Sequence, residues 1–235
     1  MLKQNFHIIL GTAHLDTTPG KCAPDRSIRE AIYSRHRIAA INARLKAEGF
    51  NVHIDYLDLQ PNSIIRASYW KTEQNRELQY RVKVVNDLCK RYGAANCLYV
   101  SLHLNAAGNG GQWMNAGGWA AYTTVGKTKS DIAAEHFYNA AEKHLQPYAA
   151  IMEEGKKKGI YSKAQRPFRT DTTDGDRDLE SNFYVIKQTL CPAVLTENLF
   201  QDNRSDVAFL LSDTGKAAIE NIHIDGIKAY IAALP

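Results

Sequence analysis

Phe6-His7-Ile8-Ile9-Leu10 is an apolar run closed by Gly11, as expected of a buried first strand. Asp25-Arg26-Ser27 then offers helix-capping side chains, with Glu30 at the capping-box spacing from Ser27. Ile38, Ile41 and Leu45 recur at helical spacing and predict a helix ending at Gly49. Asn51-Val52-His53-Ile54-Asp55 reads as a second strand, and residues 72–92 as a second helix through Leu78, Val82, Val85 and Leu88, closed by Gly93. Cys97-Leu98-Tyr99-Val100-Ser101-Leu102 is a third strand, followed by a glycine-rich loop from Gly108 to Gly118 and a β-rich stretch from Trp119 to Val125. A helix is expected over 130–146, with Ile132, His136 and Phe137 facing inward. Residues 155–181 are charged and weakly patterned, which predicts a long functional loop or insertion. Phe183-Tyr184-Val185-Ile186 and Pro192-Ala193-Val194-Leu195-Thr196 read as two further strands. A closing amphipathic helix spans 214–234 through Ile219, Ile222, Ile227 and Ile231.

Strands alternating with helices predict an α/β fold: one domain with a largely parallel twisted sheet of about six strands flanked by helices, of the phosphorylase/hydrolase-like kind. Composition narrows this only a little. The 235 residues admit one or two domains, and the 44% hydrophobic and 23% charged fractions exclude a disordered tail, a collagen-like fibre and a disulfide-stapled miniprotein. No apolar run approaches the ~18 residues of a membrane-spanning helix, so no membrane span is expected. Met1-Leu2-Lys3-Gln4-Asn5 lacks the apolar core and small-residue cleavage site of a signal peptide. The net charge of +4 is scattered, and its one short run, Lys156-Lys157-Lys158, reads as a solvated loop, so no nucleic-acid partner is expected. Cys22, Cys89, Cys97 and Cys191 show no zinc-ligand spacing. They read as buried thiols, with a Cys89–Cys97 bridge as the open alternative.

Three strands each end in a residue able to bind metal or move protons. His14 follows Gly11-Thr12-Ala13, His103 lies in Ser101-Leu102-His103-Leu104-Asn105-Ala106, and Glu197 ends Val194-Leu195-Thr196-Glu197-Asn198. Open α/β sheets bind ligands beyond the carboxyl ends of their strands, so these side chains can converge, and Glu30 on the first helix can join them. Two histidines and a carboxylate form a common catalytic zinc set with an open fourth position, and a separate carboxylate is then needed to move the proton of the attacking water. Each residue also has a plainer reading: a strand-end histidine is usually a loop or core residue, Glu30 suits a helix N-terminus, and Glu197 suits a turn. His7, His36, His53, His136, His144 and His223 lack partners at ligand spacing and read as structural or exposed.

Taken together, these segments resemble the zinc-dependent N-acetylmuramoyl-L-alanine amidases that cleave peptidoglycan. The matching stretches are Ile8-Ile9-Leu10-Gly11 through His14, Pro19-Gly20, Glu30 opening the long helix, Val100 through Ala106, Pro192 through Phe200, and Asp202-Asn203. The resemblance runs through nearly the whole chain and implies one catalytic amidase domain over residues 1–235. It also implies one Zn2+ held by His14, Glu30 and His103, with Glu197 as the catalytic carboxylate and peptidoglycan or muropeptides as substrate. Action in the cell envelope follows, by a periplasmic or secreted protein or one released as a phage endolysin is. Where the family usually has glycines after the first histidine, this chain has Leu15-Asp16, and Thr18 stands where Asp often precedes the Pro-Gly.

Rival readings keep the fold and change the substrate, as a zinc peptidase or another amidase, or remove turnover altogether, as a peptidoglycan-binding domain. The intact Glu197 argues against the last. Ala121-Tyr122-Thr123-Thr124-Val125-Gly126-Lys127-Thr128 meets a relaxed phosphate-loop pattern, but its strand-forming Tyr-Thr-Thr-Val lacks the glycines such a loop needs. The Gly108–Trp113 loop, with Trp119 beyond it, is either a groove wall or a plain turn with two half-buried tryptophans.

Overall fold

The computed structural model describes residues 5–234. In chain order the elements are β1 (His7–Thr12), α1 (Glu30–Ala47), β2 (Asn51–Ile54), α2 (Trp70–Tyr92), β3 (Cys97–Asn105), β4 (Ala120–Thr123), α3 (Lys129–His144), α4 (Gln146–Lys157), β5 (Leu179–Glu180), α5 (Tyr184–Lys187), β6 (Ala193–Phe200), α6 (Arg204–Leu211) and α7 (Asp213–Ala233). They build one six-stranded sheet in the order β2-β1-β3-β6-β4-β5, parallel throughout except where β4 runs antiparallel to β6. The predicted single α/β domain with a largely parallel sheet is therefore what forms.

Alternation along the central strands divides the core into two layers. Ile8 and Leu10 of β1, with Leu98, Val100 and Leu102 of β3, join the larger cluster, to which α1, α3 and α7 contribute Ile38, Phe137 and Ile227. Ile9, Tyr99 and Leu195 point the other way, onto Val82 and Val85 of α2. Strands covered on both faces carry apolar residues at nearly every position, which is why β1, β3 and β6 were legible as continuous runs.

Several expectations give way at the edges. Phe183–Ile186 is not a strand: residues 184–187 make the single turn α5, and Leu179–Glu180 supplies the edge strand instead. Val185 and Ile186 are both buried while Phe183 and Tyr184 are exposed, a pairing of neighbours that a helical turn permits and a two-residue strand period does not. Ser27 does not cap α1. Its hydroxyl donates to Asp25, the helix starts at Glu30 without a side-chain cap, and the Glu30 N–H donates to the Lys21 carbonyl. Gly49 does lie just beyond α1, at φ 86°.

Ile132 points outward and is 56% exposed, because Ala133, Ala134 and Phe137 form the inner face of α3. The phosphate-loop-like segment serves as a helix start: Thr128 caps α3 in a reciprocal box with Asp131. The closing helix forms as α7, and a short α6 that the sequence did not announce precedes it. The two join where Gly215 approaches the Phe209 carbonyl so closely that a Cβ would sit 1.8 Å from its oxygen. The 155–181 segment begins in the last turns of α4, a helix the sequence did not announce. It is strapped down by Tyr161, whose hydroxyl donates to buried Asp206 at 2.6 Å. All four cysteines are free thiols, so the Cys89–Cys97 bridge is absent.

Candidate metal centre

β1, β3 and β6 all end at the same edge of the sheet, and their register brings the predicted residues together. His103 of β3 stands directly opposite Glu197 of β6, and Thr12, two residues before His14, opposite Leu102. Glu30 arrives from the first turn of α1, fully buried. Its Oε1 lies 3.1 Å from His103 Nδ1 and 3.6 Å from His14 Nε2, and the two imidazoles meet edge to face at 5.1 Å. Ligand-capable atoms of His14, Glu30 and His103 all fall within 4.8 Å of one another.

Tetrahedral ligands about 2.0–2.1 Å from zinc are about 3.3 Å apart, so the 3.1 and 3.6 Å separations suit a small divalent cation. The ionisation states suit one too. Burial pushes His14 down to about 3, keeping it neutral. Burial opposes charge on Glu30, but the two histidines and Lys21 outweigh it and hold the carboxyl low. A neutral imidazole beside an ionised carboxylate is the state a metal ion requires of its ligands.

Glu197 sits beside this cluster, with its Oε2 buried and without a hydrogen-bond partner. Burial and the neighbouring Glu30 charge push its carboxyl up to about 8, against the pull of Lys21 and Arg169. A buried carboxyl with a free oxygen and an affinity for protons near neutrality can accept and return a proton.

The supporting contacts escaped the sequence reading. His14 has the left-handed backbone angle φ 35°, uncommon for a residue with a side chain. Its loop is held from beneath by two arginines. Arg35 of α1 donates through one terminal nitrogen to the carbonyls of Ala13, His14 and Ala31, each at 2.9 Å. Arg81 of α2 pairs with Asp55 at 2.7 Å and Glu77 at 2.8 Å and donates to the Thr12 hydroxyl at 3.0 Å. Ser34 accepts from the Ala13 N–H and donates to the Leu102 carbonyl, tying β1 to β3. Glu30 is fixed by the Leu104 N–H at 3.1 Å and by Gln201, whose side-chain amide donates at 3.2 Å.

Leu15 and Asp16 also take structural positions. Leu15 packs with Tyr56 and Ile65, and Asp16 pairs with Arg29. Asp202 receives the Ala107 and Gly108 N–H groups and so anchors the glycine-rich loop. Trp119 is fully buried, with its indole N–H donating to Asn198 at 2.9 Å, so it forms no groove wall. Trp113 is half-buried under the Arg204 guanidinium, 4.5 Å from the ring centre. The other histidines with a resolved partner stay apart from the centre: His7 meets His53, His144 meets Asp225, and His223 lies between Thr196 and the Ile219 carbonyl.

A doubly covered, mostly parallel sheet with a His-Glu-His cluster at its carboxyl edge defines a hydrolase-like α/β catalytic scaffold. The profile of the N-acetylmuramoyl-L-alanine amidases matches residues 8–229, and the chain belongs to that family. An endolysin of Bacillus phage SPP1 is 29% identical over 142 residues, 60% of this chain and 43% of that protein, so the chain matches less than half of that relative's length. In fold the chain is similar to the CwlD amidase of Clostridioides difficile, solved with the GerS lipoprotein. That comparison has a TM-score of 0.68 at 20% identity, over 98% of this chain and all of that one. It is also similar to the catalytic domain of CwlV, an N-acetylmuramoyl-L-alanine amidase from Bacillus (Paenibacillus) polymyxa var. colistinus, with a TM-score of 0.63 at 19% identity over 97% and 99% of the two chains.

Proposed function

We propose that this protein is a zinc-dependent N-acetylmuramoyl-L-alanine amidase, in which one catalytic domain hydrolyses the amide between the lactyl group of N-acetylmuramic acid and L-alanine in peptidoglycan. The observation that carries the reading is the convergence of His14, Glu30 and His103 beside Glu197, whose buried Oε2 has no partner. His14, Glu30 and His103 would hold the metal and leave a fourth position open to substrate. Bound zinc supplies Lewis acidity, polarising a carbonyl and bringing the pKa of water to ~7.

The remaining work falls to this chain's own groups. Glu197 takes the proton of the attacking water and delivers it to the departing L-alanine nitrogen, so one carboxylate acts as base and then as acid. Arg35, Arg81 and Ser34 hold the His14 loop, while Gln201 keeps Glu30 from turning away from the histidines. Action on the cell wall, from a periplasmic or secreted position or after phage-type release, is supported by the family and by the phage endolysin relative.

Digestion of purified peptidoglycan with and without a chelator tests this reading. New L-alanine amino termini without new reducing sugars, lost on chelation and restored by zinc, are expected by mass spectrometry. New termini inside the stem peptide would instead make the protein a peptidase of the same fold.

A further inference from the structure

The proposed metal centre is acidic at its heart, yet its rim carries two cations with no acid of their own. Arg169 belongs to the 155–181 segment, which pairs with the lead-in to β4: the Trp119 N–H donates to the Pro167 carbonyl, and the Arg169 N–H to the Trp119 carbonyl. Alternation along this paired stretch sends Phe168 into the larger core cluster and Arg169 to the opposite face. That face also carries Tyr122, and its electrostatic reach includes Glu197. The Arg169 stem crosses Gly118, where a Cβ would come 3.0 Å from its Cγ, and the guanidinium stacks over Phe200, 5.3 Å from the ring centre. Lys21 stands in the β1–α1 loop, lining a cavity of about 210 Å³ with Asp16, Thr18 and Arg29, and acts electrostatically on Glu30 and Glu197.

In that cavity Asp16 is already paired with Arg29. Among the described residues, no carboxylate lies within ion-pair distance of either Lys21 or Arg169, whereas Arg37, Arg81 and Arg177 are all paired. A half-buried guanidinium with its stem clamped, its face stacked and its charge unpaired is preorganised for an incoming anion.

We infer that Arg169, assisted by Lys21, reads a free carboxylate on the peptide side of the scissile amide and so sets the substrate preference of this site. Arg169 supplies the planar fork that matches a carboxylate, and Lys21 a looser point charge. The inference rests on the amidase reading above and adds to it the chemical class of peptide preferred.

The test uses two muramoyl-L-alanyl peptides that are identical except that the second residue carries its α-carboxylate free in one and as a carboxamide in the other. For the wild-type protein the ratio of kcat/KM, free over amidated, is expected to be about ten, carried mainly by KM. Arg169→Gln should bring the ratio to about one, Arg169→Lys to an intermediate value, and Lys21→Gln should lower it about twofold. Zinc content, measured on every variant, checks that the centre remains intact. Equal slowing of both substrates in Arg169→Gln would make Arg169 structural and overturn the inference, as would a wild-type ratio near one. Cleavage of neither substrate at the muramoyl–alanine bond by zinc-loaded wild type would instead overturn the underlying amidase reading.

Discussion

His7 of β1 and His53 of β2 approach to 3.0 Å and stack on Tyr92, while beyond the other end of β1 His14 meets His103 edge to face at 5.1 Å. Burial lowers the pKa of His7, His53 and His14 alike. The two pairs differ in what surrounds them. The charges felt by His7 and His53 are cations, Arg91 and Lys46, which repel a metal ion. The charge between His14 and His103 is the buried Glu30 carboxylate, and arginines hold the His14 backbone from behind. A pair of histidines is suited to a metal ion when a buried anion completes it and the backbone cannot relax away.

The largest effect should come from the residue that has no counterpart at the His7 pair. Glu197→Gln removes the proposed proton carrier and leaves the three proposed metal ligands untouched. Turnover should fall by ~10³-fold or more, within the range ascribed to proton transfer, with zinc per chain unchanged by elemental analysis. Retained turnover would move the proton-transfer role elsewhere.

Glu30→Gln makes the second pair resemble the first by removing its anion. Zinc affinity should drop at least ~100-fold in chelator competition, beyond the cost of losing a group that merely orients a ligand. His14→Ala and His103→Ala should lose zinc likewise. A Glu30→Gln protein with full zinc would show that the carboxylate is a helix-start residue after all.

The places of His14, His103 and Glu197 were legible because each lies at or just beyond the end of a buried apolar strand, so its position at the sheet's edge could be deduced from the run before it. Glu30 was placed only by its position opening the first helix. The arginines were not, since a charged residue on a helix normally reads as solvated. The signal was nevertheless present. Carrying the Ile38-Ile41-Leu45 stripe back along α1 reaches Ser34, Arg35 and Ala31, all buried. On α2 the series at four-residue spacing, Glu73, Glu77, Arg81, Val85 and Cys89, is buried at every position. A polar residue that extends an apolar stripe marks an internal network. The error at α5 has another origin: four apolar residues carry no period long enough to separate a strand from a helical turn.

Arg81→Met tests that network. It strands Asp55 and Glu77 without their cation, although Tyr99 still donates to Asp55 at 2.9 Å. Removing one partner of a buried ion pair typically costs about 3–5 kcal/mol, so the urea midpoint should fall accordingly. The His14 loop should loosen as well, lowering zinc affinity less than Glu30→Gln does. A change below ~1 kcal/mol would mean that the arginine is dispensable to the loop's support.

The smallest effect belongs to the pair without an anion. His53→Gln should leave zinc stoichiometry and turnover unchanged and shift stability at pH 7.5 by no more than ~1 kcal/mol. Its mark should be on the pH dependence. Because the folded pKa values of His7 and His53 lie below 6.5, the unfolded chain binds protons more readily, and stability falls as pH drops through that value. Both rings are partly solvated, so the slope is modest. Removing one ring should flatten it, measured as the urea midpoint between pH 7.5 and 5.5. If His53→Gln instead lost zinc, the distinction between the two ends of β1 would collapse, because an uncompleted histidine pair would then be contributing to metal binding.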